Sequence, residues 1–467
     1  MKHLLENVKT KDLIKKFGSA FDKENKATAV ILAAGHGKRI KSNTSKMLHK
    51  IWEVPTVNRV CNAWIKALPD SNTIIVVGIK ADEVIKSVGK IENTLFAYQE
   101  VQHGTGHALQ IGLENVPRYY DGKVYVFPGD MGLIDTETIL LFKSEFEKAD
   151  ADMMVLTGIY EGAIEENYYG RIVRVPVRPQ GGKEKDVKEL VPSSFGDQKL
   201  KYTGKVIEII EFKDILSLDK KKAYVTKYKK KNFKFTQKEL LGNREFNSGV
   251  YAFKAKPLFE LIDKIGSNNV QNEVYLTDLI GMFNNSGYSV EAVSPKEQFV
   301  LMGFNNKSVL KEMDAIAQKL VYEKLKDIVL IEDPNDFFIS EELVDKLLEQ
   351  DKNGIILDIE IGKGVYIGQG VELGLNIKLC RNVRIEGKII IGDNVFVDSG
   401  SRIFSKTKQI NIGNNVSVKG TCIIRDSVIE DNCCIHHSIL INKKVEKGSC
   451  VKFFQPEAQI KGSLTNL

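Results

Sequence analysis

The stretch that decides the fold runs Ala29-Val30-Ile31-Leu32-Ala33-Ala34-Gly35-His36-Gly37-Lys38-Arg39. It begins with an apolar, β-branched run, which predicts a buried strand, and continues into small residues and cations. Similar runs follow at Thr73–Val77, Leu95–Tyr98, Val124–Phe127 and Met153–Leu156. Helical patterns alternate with them at Thr56–Leu68, Asp82–Val88, Gly106–Glu114 and Asp135–Ala149. This alternation predicts an α/β domain with a Rossmann-like, mainly parallel sheet covered on both faces.

A different repeat begins near Ile355, where aliphatic residues and glycines recur at intervals of about six residues. The pattern occurs at Ile361–Val371, Ile391–Val397 and Ile412–Val418, with a shorter echo at Val428–Ile435. Hexapeptide periodicity predicts a parallel β-helix, in which each side of a coil turns one aliphatic residue inwards and the corners need Gly, Asn or Asp. A segment of this length predicts a short stack of about five coils.

The sequence thus divides into four predicted segments. These are a helical extension at 1–26, the α/β domain at 27–306, a helical connector at 307–354 and the β-helix at 355–467. The extension has apolar residues at helical spacing, and we interpret it as a helix packed on the following domain. Attachment to a membrane surface is the weaker alternative, because acidic and basic residues are mixed along it.

Two stretches interrupt the rhythm of the α/β domain. Residues 176–204 are rich in Pro, Gly and Lys, which predicts an inserted hairpin or loop. Residues 218–239 carry eight lysines between Lys220 and Lys234, with aromatic residues among them. We interpret this stretch as a solvated loop, since a single run of lysines is weak support for an anion or nucleic-acid site.

Composition excludes several classes of protein. The 467 residues carry a net charge of +6, which is too mild for a dedicated nucleic-acid binder. Neither a signal-peptide pattern nor an apolar run of about 20 residues is present, so we expect a cytoplasmic protein without a membrane partner. The six cysteines form no Cys-x-x-Cys pair. We predict reduced, mostly buried thiols that lack metal-ligand spacing.

The loop after the first strand has features of a phosphate site. Gly35 and Gly37 let a ligand approach the backbone, whose N–H groups can face phosphates. Ile40 occupies the place of the third glycine of the dinucleotide fingerprint, and no P-loop Gly-Lys-Ser/Thr follows. Arg39 and Lys46 add cations suited to a nucleoside triphosphate. A tight turn with surface cations explains this segment equally well by itself.

Asp130 follows the predicted strand that ends at Phe127. A carboxylate at the carboxyl edge of a parallel sheet commonly holds a metal or a polar ligand. A hard oxygen ligand suits Mg²⁺. The structural alternative is that Asp130 caps the next helix.

Eight motifs in order resemble the N-acetylglucosamine-1-phosphate uridyltransferase family, which are sugar-1-phosphate nucleotidyltransferases with a C-terminal left-handed β-helix. The motifs are Leu32–Arg39 with Lys46 downstream, Gln99–Ala108, Pro128–Asp130, Tyr169–Arg171, Glu211–Asp214, Glu245–Gly249, Gln271–Asp278 and Gly303–Asn306. The resemblance implies Mg²⁺-dependent uridylyl transfer from UTP to N-acetylglucosamine 1-phosphate, with release of pyrophosphate. It also implies a homotrimer formed through the β-helix.

The resemblance assigns a role to each matched position. The catalytic residues it implies are Arg39, Lys46 and Asp130, and the Mg²⁺ ligands are Asp130 and Asn305. The nucleotide-binding residues it implies are Leu32, Ala33, Ala34, Gly35, Gly37, Gln99, Gly104 and Thr105, of which the last three hold the uracil. The sugar-binding residues it implies are Gly170, Glu211 and Asn247.

Some positions depart from the family pattern and leave alternatives open. Ser45 replaces the usual Pro before the lysine, Pro128 replaces a Tyr, and Met131-Gly132 follow the metal-binding Asp. One alternative is a nucleotidyltransferase for another sugar 1-phosphate. The other is a regulatory protein that binds nucleotide sugars without turnover.

The histidines are weighed separately from these motifs. Bacterial relatives with this layout often carry an acetyltransferase in the β-helix, which relies on a histidine base and an Asn-Tyr-Asp-Gly stretch. This sequence lacks that stretch, and its only C-terminal histidines are His436 and His437. We therefore predict that the acetyltransferase is absent, with its retention as the alternative. His107 is predicted to order its loop, and neither His103 nor His36 receives a role.

Overall fold

The structure is a computed structural model that describes residues 2–35, 37–176, 204–229, 231–267 and 269–453. The chain divides into two compact units, Met1–Met313 and Asp314–Leu467. Within the described residues, no helix is long and apolar enough to cross a membrane.

The first unit contains the predicted alternation of strands and helices. Its strands are β1 (Ala27–Ala33), β2 (Lys50–Ile51), β3 (Val54–Pro55), β4 (Asn72–Val77), β5 (Thr94–Tyr98), β6 (Lys123–Pro128), β7 (Met153–Ile159), β8 (Arg171–Arg174), β9 (Val206–Ile210), β10 (Tyr224–Tyr228), β11 (Lys231–Phe235), β12 (Glu245–Lys254) and β13 (Val290–Val293). Its helices are α1 (Lys2–Phe17), α2 (Thr56–Ala67), α3 (Ala81–Val88), α4 (Thr105–Leu113), α5 (Thr136–Ala149), α6 (Phe212–Ser217), α7 (Gln237–Gly242), α8 (Ala255–Leu261) and α9 (Asp278–Asn285). Helix α10 (Lys307–Leu325) crosses the boundary between the units.

Nine strands form one sheet, with the order β13-β7-β12-β6-β1-β4-β5; in addition, β8 pairs with β12, and β9 pairs with β8. Strands β6, β1, β4 and β5 run parallel, while β12 is antiparallel to both β6 and β7. The sheet is buried on both faces because alternate residues of β1 enter two different apolar clusters. Ile31 belongs to one cluster and Val30 to the other. The predicted fold class is confirmed.

Helix α1 is shorter than the predicted extension over residues 1–26. It ends at Phe17, and the N–H of Gly18 donates to the Ile14 carbonyl over 2.8 Å. Glycine commonly follows the end of a helix because it tolerates backbone conformations that other residues avoid. Leu13, Ile14 and Phe17 pack against the larger apolar cluster of the unit. This contact favours the packed-helix interpretation of the segment.

The lysine-rich stretch 218–239 is not a loop, and that prediction is wrong. Strands β10 and β11 pair as an antiparallel hairpin. Tyr224, Tyr228 and Phe233 pack against a small apolar cluster, whereas Lys227 and Lys234 are exposed. Alternation of inward aromatic and outward charged residues is the pattern of a half-buried strand. The other insertion, 176–204, falls almost wholly outside the described residues, between the antiparallel strands β8 and β9.

The second unit is a stack of short parallel strands in three sheets, consistent with the predicted left-handed β-helix. Its strands are β14 (Val329–Ile331), β15 (Phe337–Ile339), β16 (Ile359–Ile361), β17 (Val365–Ile367), β18 (Val371–Leu373), β19 (Ile377–Leu379), β20 (Arg384–Glu386), β21 (Ile389–Ile391), β22 (Val395–Val397), β23 (Arg402–Phe404), β24 (Ile410–Ile412), β25 (Ser417–Lys419), β26 (Ile423–Arg425), β27 (Val428–Ile429), β28 (Cys434–His436), β29 (Ile439–Ile441), β30 (Lys444–Val445) and β31 (Cys450–Lys452). The unit also contains helix α11 (Glu341–Lys352).

The stack begins earlier and is longer than the repeat pattern predicts. Strands β14 and β15 lie within 307–354 and pair with β16 and β17. The longest sheet therefore holds seven strands, rather than the number expected from about five coils. Helix α11 follows β15 directly, where later coils have their third strand. The first coil lacks a complete hexapeptide pattern for this reason.

Asparagines line one corner of the stack, as the corner rule predicts. Asn376, Asn394, Asn415 and Asn432 all have positive φ angles between 54° and 59°. Their side-chain amides form a ladder, with N···O distances of 2.7, 3.1 and 3.0 Å between successive coils. Asn tolerates this left-handed backbone better than most residues do. Each amide also satisfies its neighbour in the next coil.

Candidate active site

The carboxyl ends of β1 and β6 bring two of the predicted motifs into contact. The strands are parallel neighbours, and the N–H of Gly129 donates to the Leu32 carbonyl over 3.0 Å. Leu32 and Ala33 end β1, and Ala34 begins the loop. A side chain at Gly129 would place its Cβ 3.1 Å from the Leu32 oxygen and 3.3 Å from the Ala33 Cβ. Glycine at position 129 therefore permits the close approach of the two loops.

Arg39, Lys46, Asp130 and Asn305 converge at this edge, and we call them the phosphate-site cluster. The Lys46 ammonium forms an ion pair with the Asp130 carboxylate and donates to the Asn305 Oδ1 over 3.1 Å. The Arg39 Nη2 donates to the same oxygen over 2.9 Å. The side chains of Lys46 and Asp130 are only 12% and 15% exposed. All four residues come from separate segments of the sequence.

Buried neighbours hold the cluster in place. Met47 is buried beside Lys46, and the Lys46 ammonium lies 5.3 Å from the centroid of the buried Phe304 ring. A cation over an aromatic face gains favourable electrostatic energy. A Cβ built on Gly303 would lie 3.2 Å from the Asp130 Oδ2. The glycine thus lets the segment that carries Asn305 approach the carboxylate.

Gly37 permits another close approach within the signature loop. Its φ of 58° is left-handed, and a Cβ there would lie 2.8 Å from the Lys46 Cβ. Gly35 has more room, since the nearest heavy atom to its built Cβ is the Met47 Cε at 3.7 Å. His36 lies outside the described residues. A side chain at the second glycine of the loop would therefore collide with the segment that carries Lys46.

The alternative role of Asp130 as a helix cap is excluded by the geometry of α5. Asp135 is the N-cap, and its Oδ1 accepts from the N–H of Thr138 over 2.8 Å. The Asp130 carboxylate instead faces Lys46, another member of the phosphate-site cluster. The departing residues after it have structural roles: Met131 is buried in the core, and the Gly132 carbonyl accepts from the Arg59 Nε over 2.5 Å.

The cluster can accommodate a hard divalent cation. The oxygens of Asp130 and Asn305 already contact one ammonium group, so both face the same small volume. Carboxylate and amide oxygens are the protein ligands that Mg²⁺ accepts, with waters and phosphate oxygens completing its shell. The donor set therefore fits the metal that the family resemblance implies.

The predicted base-binding loop is ordered by its own side chains. Gln99 is buried, and its Nε2 lies 3.3 Å from the Gly104 carbonyl and 2.9 Å from the His107 Nδ1. The Thr105 Oγ1 accepts from the N–H of Leu276 over 3.2 Å. Burial lowers the pKa of His107, and nearby His103 lowers it further. A neutral His107 that holds Gln99 matches the loop-ordering role expected from the sequence.

A second segment packs tightly under this loop. The N–H of Val274 donates to the His103 carbonyl over 2.7 Å, and the N–H of Gly106 donates to the Val274 carbonyl over 2.8 Å. Gly104 has a φ of 106°, and a Cβ there would lie 2.5 Å from the Val274 oxygen. Only glycine fits this position without movement. The contact joins two motifs that are far apart in the sequence.

The three predicted sugar-site residues also come together. The N–H of Asn247 donates to the Gly170 carbonyl over 2.9 Å, and a Cβ on Gly170 would lie 3.3 Å from both Glu211 carboxylate oxygens. The Asn247 Oδ1 accepts from the Tyr251 hydroxyl over 2.8 Å. Glu211, Gly170 and Asn247 thus form one polar site at a register shift of β12.

Glu211 lies in an unusually acidic environment. Burial raises the pKa of its carboxyl to about 7, and Asp214, Asp278 and Glu273 raise it further by repulsion. A hydrogen bond with Thr277 opposes the rise. Burial and neighbouring acids also raise the pKa of Asp278 to about 6. Near neutral pH, Glu211 can therefore both donate and accept hydrogen bonds, which suits contacts with sugar hydroxyls.

Sequence reasoning missed one element that frames this site. Arg174 of β8 and Glu245 of β12 form a buried bidentate ion pair, with N···O distances of 2.7 and 2.6 Å. Their side chains are 7% and 2% exposed. The sequence shows an arginine at the end of one apolar strand and a glutamate at the start of another. It does not show that these two strands are neighbours, so the ion pair could not be predicted from it.

The chain is similar in sequence to known proteins. The family described as a MobA-like NTP transferase domain matches residues 29–165. The protein named Bifunctional protein GlmU from Clostridium acetobutylicum is 29% identical over 406 residues, which cover 86% of this chain and 70% of that protein. The GlmU of Acetivibrio thermocellus is 31% identical over 316 residues, which cover 68% of this chain and 57% of that protein.

Solved structures were compared as well. A UDP-glucose pyrophosphorylase complexed with UDP-glucose is 14% identical, with a TM-score of 0.41 over 63% of this chain and 99% of that chain. The GlmU of Clostridium kluyveri is 30% identical over 427 residues, which cover 91% of this chain and 74% of that protein. On this sequence match, and with a nucleotidyltransferase domain at its N-terminal side, the chain belongs to the GlmU family of nucleotidyltransferases.

Proposed function

We propose that this nucleotidyltransferase transfers a uridylyl group from UTP to N-acetylglucosamine 1-phosphate, giving UDP-N-acetylglucosamine and pyrophosphate. The observation that carries the proposal is the convergence of Arg39, Lys46, Asp130 and Asn305 at the carboxyl edge of the sheet. Two cations and two hard oxygen ligands in one cluster suit a triphosphate and a divalent metal.

Asp130 and Asn305 would hold Mg²⁺, which supplies charge neutralisation to the triphosphate when it is bound. Lys46 contacts oxygens of both residues and Arg39 contacts the Asn305 oxygen, so both cations are within reach of phosphates at that metal. In the reaction, an oxygen of the sugar 1-phosphate attacks the α-phosphorus and pyrophosphate leaves. The two cations would neutralise charge on the phosphates as the P–O bond to pyrophosphate breaks.

Specificity would come from the other two groups of residues. The amide of Gln99 lies in the loop that Gly104 and Thr105 continue, and an amide can both donate to and accept from a uracil edge. Gly170, Glu211 and Asn247 would contact the N-acetylhexosamine. We also infer that the β-helix lacks acetyltransferase activity and forms a homotrimer. The chain's only C-terminal histidines support the first inference, since they lie at the edge of the stack in contact with Cys434 and Phe453.

The test is pyrophosphate release with Mg²⁺, using each of the four nucleoside triphosphates. Each would be paired with the 1-phosphates of N-acetylglucosamine, glucose, galactose and mannose. We expect turnover with UTP and N-acetylglucosamine 1-phosphate. Turnover with a different sugar 1-phosphate would revise the acceptor but still support nucleotidyl transfer. Absence of pyrophosphate release with every pair, in folded protein that still binds UTP, would refute the proposal.

Asp130→Asn is the active-site variant, because it removes the proposed ligand charge with little change in size. Asp121→Asn is the matched control, since Asp121 is 78% exposed and forms a surface ion pair with Lys26. The control should keep full activity. A second assay follows thiol release from acetyl-CoA with glucosamine 1-phosphate, and we expect none. Release would restore the acetyltransferase alternative.

A further inference from the structure

Stacking of coils brings two cysteines and a histidine together at the edge of the β-helix. Strands β28 and β31 are parallel neighbours, with Cys434 opposite Cys450. His436 stands two residues after Cys434, so both side chains project from the same face of β28. One ligand atom from each of the three residues lies within 4.8 Å of the others. The spacing of the cysteines in the sequence did not predict this arrangement, because it arises from the stacking of coils.

The cysteines are also more exposed than expected. Cys61, Cys422 and Cys433 are buried, but Cys380 and Cys434 are partly exposed and Cys450 is exposed. Cys433 and Cys434 alternate, with the first turned towards the core and the second outwards. The inward cysteines pack in the core. Cys434 and Cys450 face outwards and, with His436, are accessible to a ligand from solvent.

We propose that Cys434, His436 and Cys450 form a binding site for Zn²⁺. Zn²⁺ commonly binds thiolate sulfur and imidazole nitrogen, whereas Mg²⁺ and Ca²⁺ bind oxygen ligands. Tetrahedral bond lengths place neighbouring zinc ligands roughly 3.6–3.8 Å apart. The Cys434 Sγ lies 2.8 Å from the His436 Nε2, which is the distance of a direct hydrogen bond. Binding would replace that bond, and a small opening of the pair would admit the ion.

The ligand set would neutralise the charge of this ion. Zn²⁺ with two thiolates and a neutral imidazole is uncharged, and its binding releases the two thiol protons to solvent. In the strand register His436 stands between Lys419 of β25 and Lys452 of β31. Burial and the neighbouring Cys450 raise the pKa of the Cys434 thiol and the two lysines oppose that rise, so metal binding here is coupled to proton release.

The site would have three protein ligands and an open fourth position. Cys450 is exposed, so water can reach the ion. Strand β31, which carries Cys450, is the last strand of the described stack. A metal that bridges β28 and β31 would therefore fasten the final coil to the one before it. Such binding stabilises the folded coil by an amount that grows with the logarithm of the metal concentration over the dissociation constant.

The test uses the full chain, reduced and freed of metal by a chelator. Co²⁺ is added first as a spectroscopic probe, since tetrahedral cobalt with thiolate ligands absorbs in the visible and near ultraviolet. Zn²⁺ is then titrated against a chromophoric chelator. We expect one Co²⁺ per chain with a tetrahedral thiolate spectrum, which Zn²⁺ bleaches. Reduced protein without these bands would overturn the proposal.

Cys450→Ser is the decisive variant, because an exposed thiol can be replaced without disturbing the core. It should weaken Zn²⁺ binding by about 100-fold or more. Cys380→Ser is the matched control, since Cys380 is a partly exposed thiol of the same unit outside the cluster. It should bind Zn²⁺ as the natural chain does. Equal affinity in Cys450→Ser would refute the assignment.

Thiol counting separates a metal site from a disulfide. The chain has six cysteines, and a metal site leaves all of them titratable in denaturant after removal of metal. Protein purified without reductant should keep all six. If only four react and peptide mapping joins Cys434 to Cys450, the pair is a disulfide and the zinc proposal fails. Uridylyl transfer plays no part in these readouts.

Discussion

Glu211 should make the stability of the first unit depend on pH, and Glu211→Gln should remove much of that dependence. Burial raises the pKa of this carboxyl to about 7, and the charges of Asp214, Asp278 and Glu273 act in the same direction. The variant keeps the shape of the side chain and removes its charge. We expect it to be more stable than the natural protein at neutral pH and no more stable in mild acid.

The size of the effect follows from the difference in proton affinity. The ordinary value for this carboxyl is 4.5, so the folded state binds its proton more tightly between pH 4.5 and about 7. Stability therefore falls as the pH rises through this window. At about 1.4 kcal/mol per pKa unit, the full interval corresponds to about 3 kcal/mol. That figure is an upper bound, because the residue keeps some accessible surface.

Tryptophan fluorescence isolates the relevant unit. Both tryptophans of the chain, Trp52 and Trp64, are buried in the first unit. Urea unfolding followed by their emission from pH 5 to 8 reports the free energy of that unit alone. The difference between Glu211→Gln and the natural protein should grow with pH and level off above about pH 7. A smaller dependence of the unfolding free energy on pH should remain in the variant, because the pKa of Asp278 is raised to about 6.

The control is Glu161→Gln, which neutralises an exposed glutamate of the same unit. It should shift the unfolding free energy equally at every pH, or not at all. Parallel pH profiles for Glu211→Gln and the natural protein would refute the reasoning. They would show that the Glu211 carboxyl titrates in the folded chain as it does in the unfolded one.

Three further predictions concern other parts of the first unit. Asp130→Asn should lower kcat by about 10²–10³-fold with UTP still bound, measured by pyrophosphate release and calorimetry; unchanged kcat would remove Asp130 from the mechanism. Glu245→Gln leaves the buried Arg174 without its counter-charge and should cost about 3 kcal/mol in urea unfolding, whereas a loss below 1 kcal/mol would mean that water solvates the arginine. Gly104→Ala places a Cβ 2.5 Å from the Val274 oxygen and should weaken UTP binding and lower stability by about 1–3 kcal/mol. These effects are measured by calorimetry and thermal melting, and unchanged UTP affinity and melting temperature would contradict the prediction.

The strands and helices of the α/β domain could be predicted closely, because apolar periodicity and burial coincide there. The run at Ala29–Ala33 became β1 (Ala27–Ala33), and the pattern at Asp135–Ala149 became α5 behind its Asp135 cap. In a sheet covered on both faces, every residue of a central strand is apolar, so the signal is continuous. The local pattern and the tertiary environment point to the same structure.

In the hairpin β10–β11, many lysines obscured the apolar periodicity of the two strands. Tyr224, Tyr228 and Phe233 alternate with polar neighbours at the period of a strand. The density of lysines suggested a solvated loop, although outward lysines are compatible with a strand that has one apolar face. Period-two alternation should outweigh net charge when the two signals conflict.

The candidate site was predictable in membership but not in geometry. The motifs supplied Arg39, Lys46, Asp130 and Asn305 through family resemblance. No local pattern predicts that Lys46 bridges the side-chain oxygens of Asp130 and Asn305. The buried Phe304 ring also lies 5.3 Å from the bridging ammonium. The bridge is a product of packing between segments that lie hundreds of residues apart in the chain.

The cysteine and histidine cluster marks the limit of spacing arguments in a coiled stack. A zinc motif read from sequence assumes a fixed separation between ligand pairs, as in a finger closed by a short loop. In this β-helix the separation equals the length of one coil, and coil length varies. Cys434 faces Cys450 across sixteen residues, while Ser417 faces Cys434 across seventeen and Arg402 faces Ile423 across twenty-one. A ligand set on such a scaffold is therefore found by counting coils, and it moves with any insertion at a corner.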